Sequence, residues 1–163
     1  MGSFCYWMVF AVFLPWFKRS QAAALILEKM KPMQQVCVID DDDIYIYLIK
    51  KSLAALDIHH SVNAFSNGAE ALKGLKAMIE QQQPIPEIIF LDINMPIMDG
   101  WEFLKAFRDL QSLLSQKIPI YIISSSIAEE DKEKAKHFPE IVGYLSKPVE
   151  LETLASIVQL QEL

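Results

Sequence analysis

The sequence predicts an α/β domain, a parallel sheet covered by helices on both faces. From Gln35 onward, short apolar runs alternate with segments of helical periodicity, five of each. The apolar runs are nearly continuous, as strands buried on both faces are. The chain has 163 residues, room for one ordinary domain and a short extension.

Val36-Cys37-Val38-Ile39 is the first strand candidate, and Leu48, Ile49, Leu53 and Leu56 then recur at helical spacing. Ser61 to Phe65 is a weaker second strand. Asn67 is placed to cap the next helix, whose apolar face is Ala71, Leu72, Leu75 and Ile79. Gln81 to Pro86 is a connector broken by Pro84 and Pro86, and Ile88 to Leu91 is a third, fully apolar strand. Phe103, Leu104, Phe107 and Leu114 mark a third helix, and Ile118 to Ile123 a fourth strand. Ala128 to His137 reads as a short, highly charged helix. Ile141 to Leu145 is the fifth strand, and Leu151, Leu154, Ile157 and Val158 form the face of the last helix. Right-handed crossovers then favour a flavodoxin-like, doubly wound five-stranded sheet in the order 2-1-3-4-5 with five flanking helices. In that order the first and third strands meet at the switch point, and ligands sit beyond their carboxyl ends.

Composition narrows the function. A net charge of −6 argues against a general nucleic-acid binder, which carries a basic patch. Of the two cysteines, Cys5 and Cys37, the second sits in an apolar run and reads as a small buried hydrophobe. There is no disulfide framework, which points to a reducing, cytoplasmic setting. Residues 1–33 read as an extension outside the domain, which occupies 34–163. Met1 to Phe17 is uncharged and rich in aromatics, and Lys18 and Arg19 follow it. A secretory signal would carry its positive charge first. The run is also shorter than the roughly 20 residues of a membrane span, and Pro15 interrupts it. A membrane contact, if any, would come through residues 1–17; an amphipathic or buried helix is the other reading.

The first strand ends in Asp40-Asp41-Asp42-Asp43, and the third is followed by Asp92-Ile93-Asn94. If those strands are neighbours, Asp40, Asp41 and Asp92 converge. Crowded carboxylates repel one another, and a hard cation relieves the repulsion. Mg²⁺, which keeps several waters and takes one or two carboxylates plus a phosphate, suits such a set. A lone acidic run would rather be a solvated turn, with Asp43 capping the next helix; the second acidic site favours the cation. Four aspartates would repel a flavin phosphate, and no glycine-rich loop with a following Lys-Ser or Lys-Thr is present.

These residues resemble the receiver family of two-component signalling, over roughly residues 35–160. Asp40-Asp41 matches the family's acidic pair. Asp92, within Phe90-Leu91-Asp92-Ile93-Asn94-Met95-Pro96-Ile97-Met98-Asp99-Gly100, matches the phosphoacceptor. Ser124 after the fourth strand matches the switch hydroxyl, Tyr144 the aromatic switch position, and Lys147-Pro148 the lysine and its proline. Each alone has a plainer reading: Lys147 a solvated charge, Ser124 a turn residue, Tyr144 a core aromatic. Together, and in order, they are specific. The resemblance implies a phosphorylation-controlled switch that takes a phosphoryl group on Asp92 from a sensor histidine kinase or a histidine phosphotransfer protein. It implies Mg²⁺ bound at Asp92, directly by Asp41, through water by Asp40, and by the backbone carbonyl of Asn94. It further implies a cis peptide before Pro148. A downstream protein would read the face of the fourth helix, fifth strand and fifth helix. Serine rather than threonine at 124 and the N-terminal segment are mild departures.

Two other readings compete. A phosphohydrolase of the haloacid dehalogenase kind would place a second aspartate two residues after the nucleophile, where this chain has Asn94, and no cap-domain insertion occurs. A receiver clipped from a longer hybrid kinase is the other; the stop at the last helix favours a stand-alone module. His59, His60 and His137 have no partners at ligand spacing and read as surface or core histidines.

Overall fold

A computed structural model describes residues 34–56, 60–114, 116–125 and 128–160. The expected extension, with Cys5 and the apolar run, lies outside the described residues, as does His59. In chain order the elements are β1 (Gln34–Ile39), α1 (Asp43–Ala54), β2 (His60–Phe65), α2 (Gly68–Glu80), β3 (Ile88–Leu91), α3 (Gly100–Gln111), β4 (Ile120–Ser124), α4 (Glu129–Ala135), β5 (Ile141–Ser146) and α5 (Leu151–Leu160). The strands form one five-stranded sheet in the order β2-β1-β3-β4-β5. All four pairings are parallel. The predicted α/β architecture and strand order are therefore those observed.

Alternation along β1 and β3 divides the core into two layers. Cys37, Ile39, Ile89 and Leu91 pack with Ala71 and Leu75 of α2 and Phe103, Leu104 and Phe107 of α3. Val36, Val38, Ile88 and Phe90 pack on the other face with Tyr45, Ile49 and Leu53 of α1 and Leu154, Ile157 and Val158 of α5. Burying each large side chain of this kind contributes about 1.5–3 kcal/mol, so the β1–β3 centre is the firmest part of the sheet. The short helix α4 contributes no buried residue.

Several local expectations shift. The buried stripe of α1 is Tyr45, Ile46, Ile49 and Leu53; Leu48 is 51% exposed. The helical period carries Leu48 out of the core because the stripe begins a turn earlier, at Tyr45. The cap of α1 is Asp42 rather than Asp43. Asp42 has extended backbone, and its carboxylate accepts from the N–H groups of Ile44 and Tyr45, while Asp43 already lies in the first turn, where its charge complements the helix dipole. The fourth strand starts at Ile120, two residues late, because Pro119 has no N–H to donate to a ladder; its carbonyl still accepts from Ile89. Leu114 lies past the end of α3 and packs on the core from the following turn. Asn67 caps α2 as predicted, accepting from Glu70 N–H at 2.9 Å. Among the described residues no helix is long and apolar enough to cross a membrane.

Candidate functional site

The register of the sheet builds the site. Ile39 of β1 pairs with Leu91 of β3, so the residues that follow them, Asp40 and Asp92, leave the sheet side by side. Asp92 N–H donates to the Ile39 carbonyl at 2.8 Å and Asp40 N–H to the Phe65 carbonyl at 3.0 Å. On the far side, Ser124 pairs with Ser146, and Lys147 N–H donates to the Ser124 carbonyl at 3.0 Å. The Lys147–Pro148 peptide is cis.

Three charged side chains meet there. The Lys147 ammonium lies 2.6 Å from Asp40 Oδ2 and 3.1 Å from Asp92 Oδ1. Each remaining carboxylate oxygen is taken by backbone: Asp42 N–H donates to Asp40 Oδ1 at 3.0 Å, and Asn94 N–H to Asp92 Oδ2 at 2.8 Å. Asp40 and Asp92 are 2% and 5% exposed, so these hydrogen bonds act in place of water. Burial raises the Asp92 carboxyl above its ordinary value; Lys147 opposes that, and the charge of Asp40 adds to it. Burial also disfavours the Lys147 cation, but the two carboxylates together outweigh it and raise its pKa. Both shifts are upward: burial works against the charge of Asp92, and the ammonium of Lys147 beside it is the influence that favours that charge.

The loop after β3 is held close. Gly100 N–H donates to the Ile93 carbonyl at 2.9 Å. A Cβ at Gly100 would fall 2.6 Å from the Asp92 carbonyl oxygen and 2.9 Å from Ile93 Cα, so only glycine allows this approach. Asp99 and Glu102 then close a capping box at the start of α3.

The predicted residues are distributed unevenly. Asp40, Asp92 and Lys147 come together, and Ser124, 3% exposed, ends β4 beside them. Asp41 is exposed. Among the described residues no three His, Cys, Asp or Glu side chains are arranged to hold a metal ion, so the expected convergence of three carboxylates is reduced to two, with Lys147 bridging them. Asp41 follows in the bend after β1 and is exposed, whereas Asp40 before it is buried. Tyr144 on β5 is half-buried and donates its hydroxyl to the Asp131 carbonyl of α4 at 2.9 Å. Tyr45 was not singled out by sequence, yet Lys147 Nζ lies 4.5 Å from its ring centroid. The signal available was an aromatic two residues past the acidic run.

Residues 36–159 match the family model of the response regulator receiver domain. The chain belongs to this family. The receiver is 26% identical over 133 residues to response regulator Rcp1 of Synechocystis, covering 81% of this chain and 88% of that one. Among solved structures, chemotaxis protein CheY4 of Vibrio cholerae aligns with a TM-score of 0.65 at 30% identity, over 78% of this chain and 98% of its own. The phosphorylated cyanobacterial phytochrome response regulator RcpA aligns with a TM-score of 0.63 at 28% identity, over 80% of this chain and 92% of its own. Other relatives are much longer: the receiver matches NtrC of Escherichia coli at 27% identity but spans 24% of its length. Family membership makes phosphorylation-based signalling the domain's role. The chemistry of the family is its own phosphoryl transfer and dephosphorylation rather than turnover of a separate substrate.

Proposed function

We propose that Asp92 is the phosphoacceptor of a Mg²⁺-dependent signalling switch, charged by a sensor histidine kinase or a histidine phosphotransfer protein. The observation that carries this reading is the buried Asp92 carboxylate at the end of β3 with the Lys147 ammonium 3.1 Å away. An ionised carboxylate needs no general base. Its oxygen forms a bond to phosphorus as the phosphorus–nitrogen bond of a phosphohistidine breaks. The imidazole leaves with the bonding pair and takes up a proton from solvent. Catalysis is then positioning and charge neutralisation. Asn94 N–H and Lys147 fix the two oxygens of Asp92 before the donor arrives.

Hard oxygen donors suit Mg²⁺, and the buried carboxylates Asp40 and Asp92 are of that kind; in this reading Asp41, exposed at the next position, and the backbone carbonyl of Asn94 would complete the set. When bound, Mg²⁺ supplies positive charge to carboxylates and phosphoryl oxygens alike. Lys147, already shared between Asp40 and Asp92, is the chain's own contribution of charge. In the product Ser124 donates its hydroxyl to a phosphoryl oxygen, and Tyr144 gives up its bond to the Asp131 carbonyl and turns inward. This biases two existing states of the domain rather than creating a new one. The surface of α4, β5 and α5, where Val142 and Leu151 are exposed, is the face a downstream protein reads. Residues 1–33 stand outside the domain in this reading, and the protein acts in the cytoplasm.

The test is incubation of the full chain with acetyl phosphate and Mg²⁺, followed by mass spectrometry of the peptide that contains Asp92. A single phosphoryl group on Asp92, absent from Asp92→Asn, supports the reading. Equal labelling of Asp92→Asn at another residue overturns it.

A further inference from the structure

We infer that Tyr45 is a positioning residue for Lys147, its ring holding the ammonium against Asp40 and Asp92. The inference rests on the proposed role of Lys147 in phosphoryl transfer. Lysine is a poor choice for fixed geometry: its charge sits on a flexible four-carbon stem and is strongly hydrated. Yet the Lys147 side chain is only 16% exposed, and its ammonium has a defined seat. Asp40 and Asp92 form two sides of that seat, at 2.6 and 3.1 Å. The third side is the Tyr45 ring, 4.5 Å from Nζ to centroid. A cation over an aromatic face is attracted by the ring quadrupole, and more strongly where water is excluded.

Tyr45 is itself firmly placed. It is 7% exposed and packs in the α1–α5 layer with Val38 and Phe90, whose strands lead into Asp40 and Asp92. The ring is therefore tied to the same strands as the carboxylates. The face of the ring, not the hydroxyl, is the useful part. The phenol oxygen is buried and makes no hydrogen bond of good geometry. Burial pushes the phenol up to about 12, Asp40 and Asp92 act in the same direction, and a loose approach of the Val149 N–H opposes them. A buried hydroxyl with so weak a partner contributes little to stability. A tyrosine serving only as core filler would change stability on substitution and leave the seat of Lys147 unaltered.

The experiment compares full-length wild type, Tyr45→Phe, Tyr45→Leu and Tyr45→Met, the last being unbranched and able to fill the gap if the leucine variant does not fold. Two quantities are read: the ring-current shift of the Lys147 ε-methylene protons by NMR, and the rate of Asp92 phosphorylation by acetyl phosphate with Mg²⁺. The phenylalanine variant keeps the ring, and with it the shift and a rate within about twofold of wild type. The leucine or methionine variant, folded, loses the shift and phosphorylates about tenfold more slowly. No shift in the wild type, or wild-type rates in folded variants that lack the ring, overturns the inference. A loss in Tyr45→Phe equal to that in the ring-free variants overturns it too, by assigning the effect to the hydroxyl. A wild type that never labels at Asp92 refutes the phosphoacceptor reading instead, and the NMR shift still decides whether Tyr45 seats Lys147.

Discussion

Lys147 reaches Asp40 at 2.6 Å although β3 and β4 lie between the strands that precede them. The side chain makes up the distance: Lys147 N–H bonds to the Ser124 carbonyl at the end of β4, continuing the β4–β5 ladder, while the ammonium reaches Asp92 and Asp40. A single cation is thereby shared by carboxylates from two adjacent strands, β1 and β3.

Removing that cation should be costly. Lys147→Met keeps most of the side-chain volume but leaves Asp40 and Asp92 buried together without a partner. Breaking a buried pair in this way typically costs about 3 kcal/mol or more. Urea denaturation at neutral pH should show a loss of that order. The loss should shrink as pH falls, because burial already raises the Asp92 carboxyl and protonating it removes the repulsion. Added Mg²⁺ should restore part of the stability in the variant. A variant as stable as wild type at pH 7 would mean that the ion pair does not hold these strand ends together.

Gly100→Ala should damage the phosphoacceptor loop from outside the charged cluster. The added methyl group meets backbone, the Asp92 carbonyl oxygen at 2.6 Å and Ile93 Cα at 2.9 Å, so no side chain can yield to it. Overpacking of this kind costs about 1–3 kcal/mol. Since the loop carries Asp92 and the Asn94 N–H that orients it, phosphorylation should slow as well. Unchanged stability with an unchanged labelling rate would show that the loop can move aside at no cost.

Much of this was legible in the residues, and the exceptions have identifiable causes. The order of the strands followed from the alternation of apolar runs and helical stripes, and the meeting of Asp40 with Asp92 followed from that order. Pairing of Ile39 with Leu91 is what a switch point between the first and third strands requires. The stripe of α1 was misjudged because Leu48 is more apolar than Tyr45, and polarity alone ranks them in the wrong order. A tyrosine can bury its ring beside a charge, so Tyr45 belongs to both the core and the site. The difference between Asp42 and Asp43 as cap depends on one pair of backbone angles, which a run of four identical residues does not reveal. The reach of Lys147 across two strands is likewise a property of its long side chain and the order of the sheet, not of any local pattern.

Tyr144 gives a pH test. Burial pushes its phenol up to about 12, and the nearby Asp131 charge adds to the effect. The folded chain therefore holds this proton more tightly than the unfolded chain, whose tyrosines titrate near 10. The stabilising contribution is complete below pH 10, then declines as pH rises through 12, because the unfolded state releases its proton first. The stability difference between wild type and Tyr144→Phe should stay level from neutral pH to about 10 and fall beyond it. Ultraviolet titration should show one late-ionising tyrosine fewer in the variant. A difference that stays level through that range would show that the hydroxyl is not held as the Asp131 contact implies.

Cys37 should behave as an inert part of the core. It lies in β1 with no exposed surface, and burial pushes its thiol well above the ordinary value. The thiolate is the reactive form, so both access and ionisation are denied in the folded state. In a Cys5→Ser variant, which leaves Cys37 as the sole thiol, a disulfide reagent at pH 8 should react negligibly with the native chain. It should react fully after unfolding in guanidinium. Added at intermediate denaturant, the same reagent should follow global unfolding, since β1 pairs on both sides at the centre of the sheet and opens only with the whole domain. Fast modification of the native chain would show that the β1–β3 centre opens locally, and that the firmest part of the core lies elsewhere.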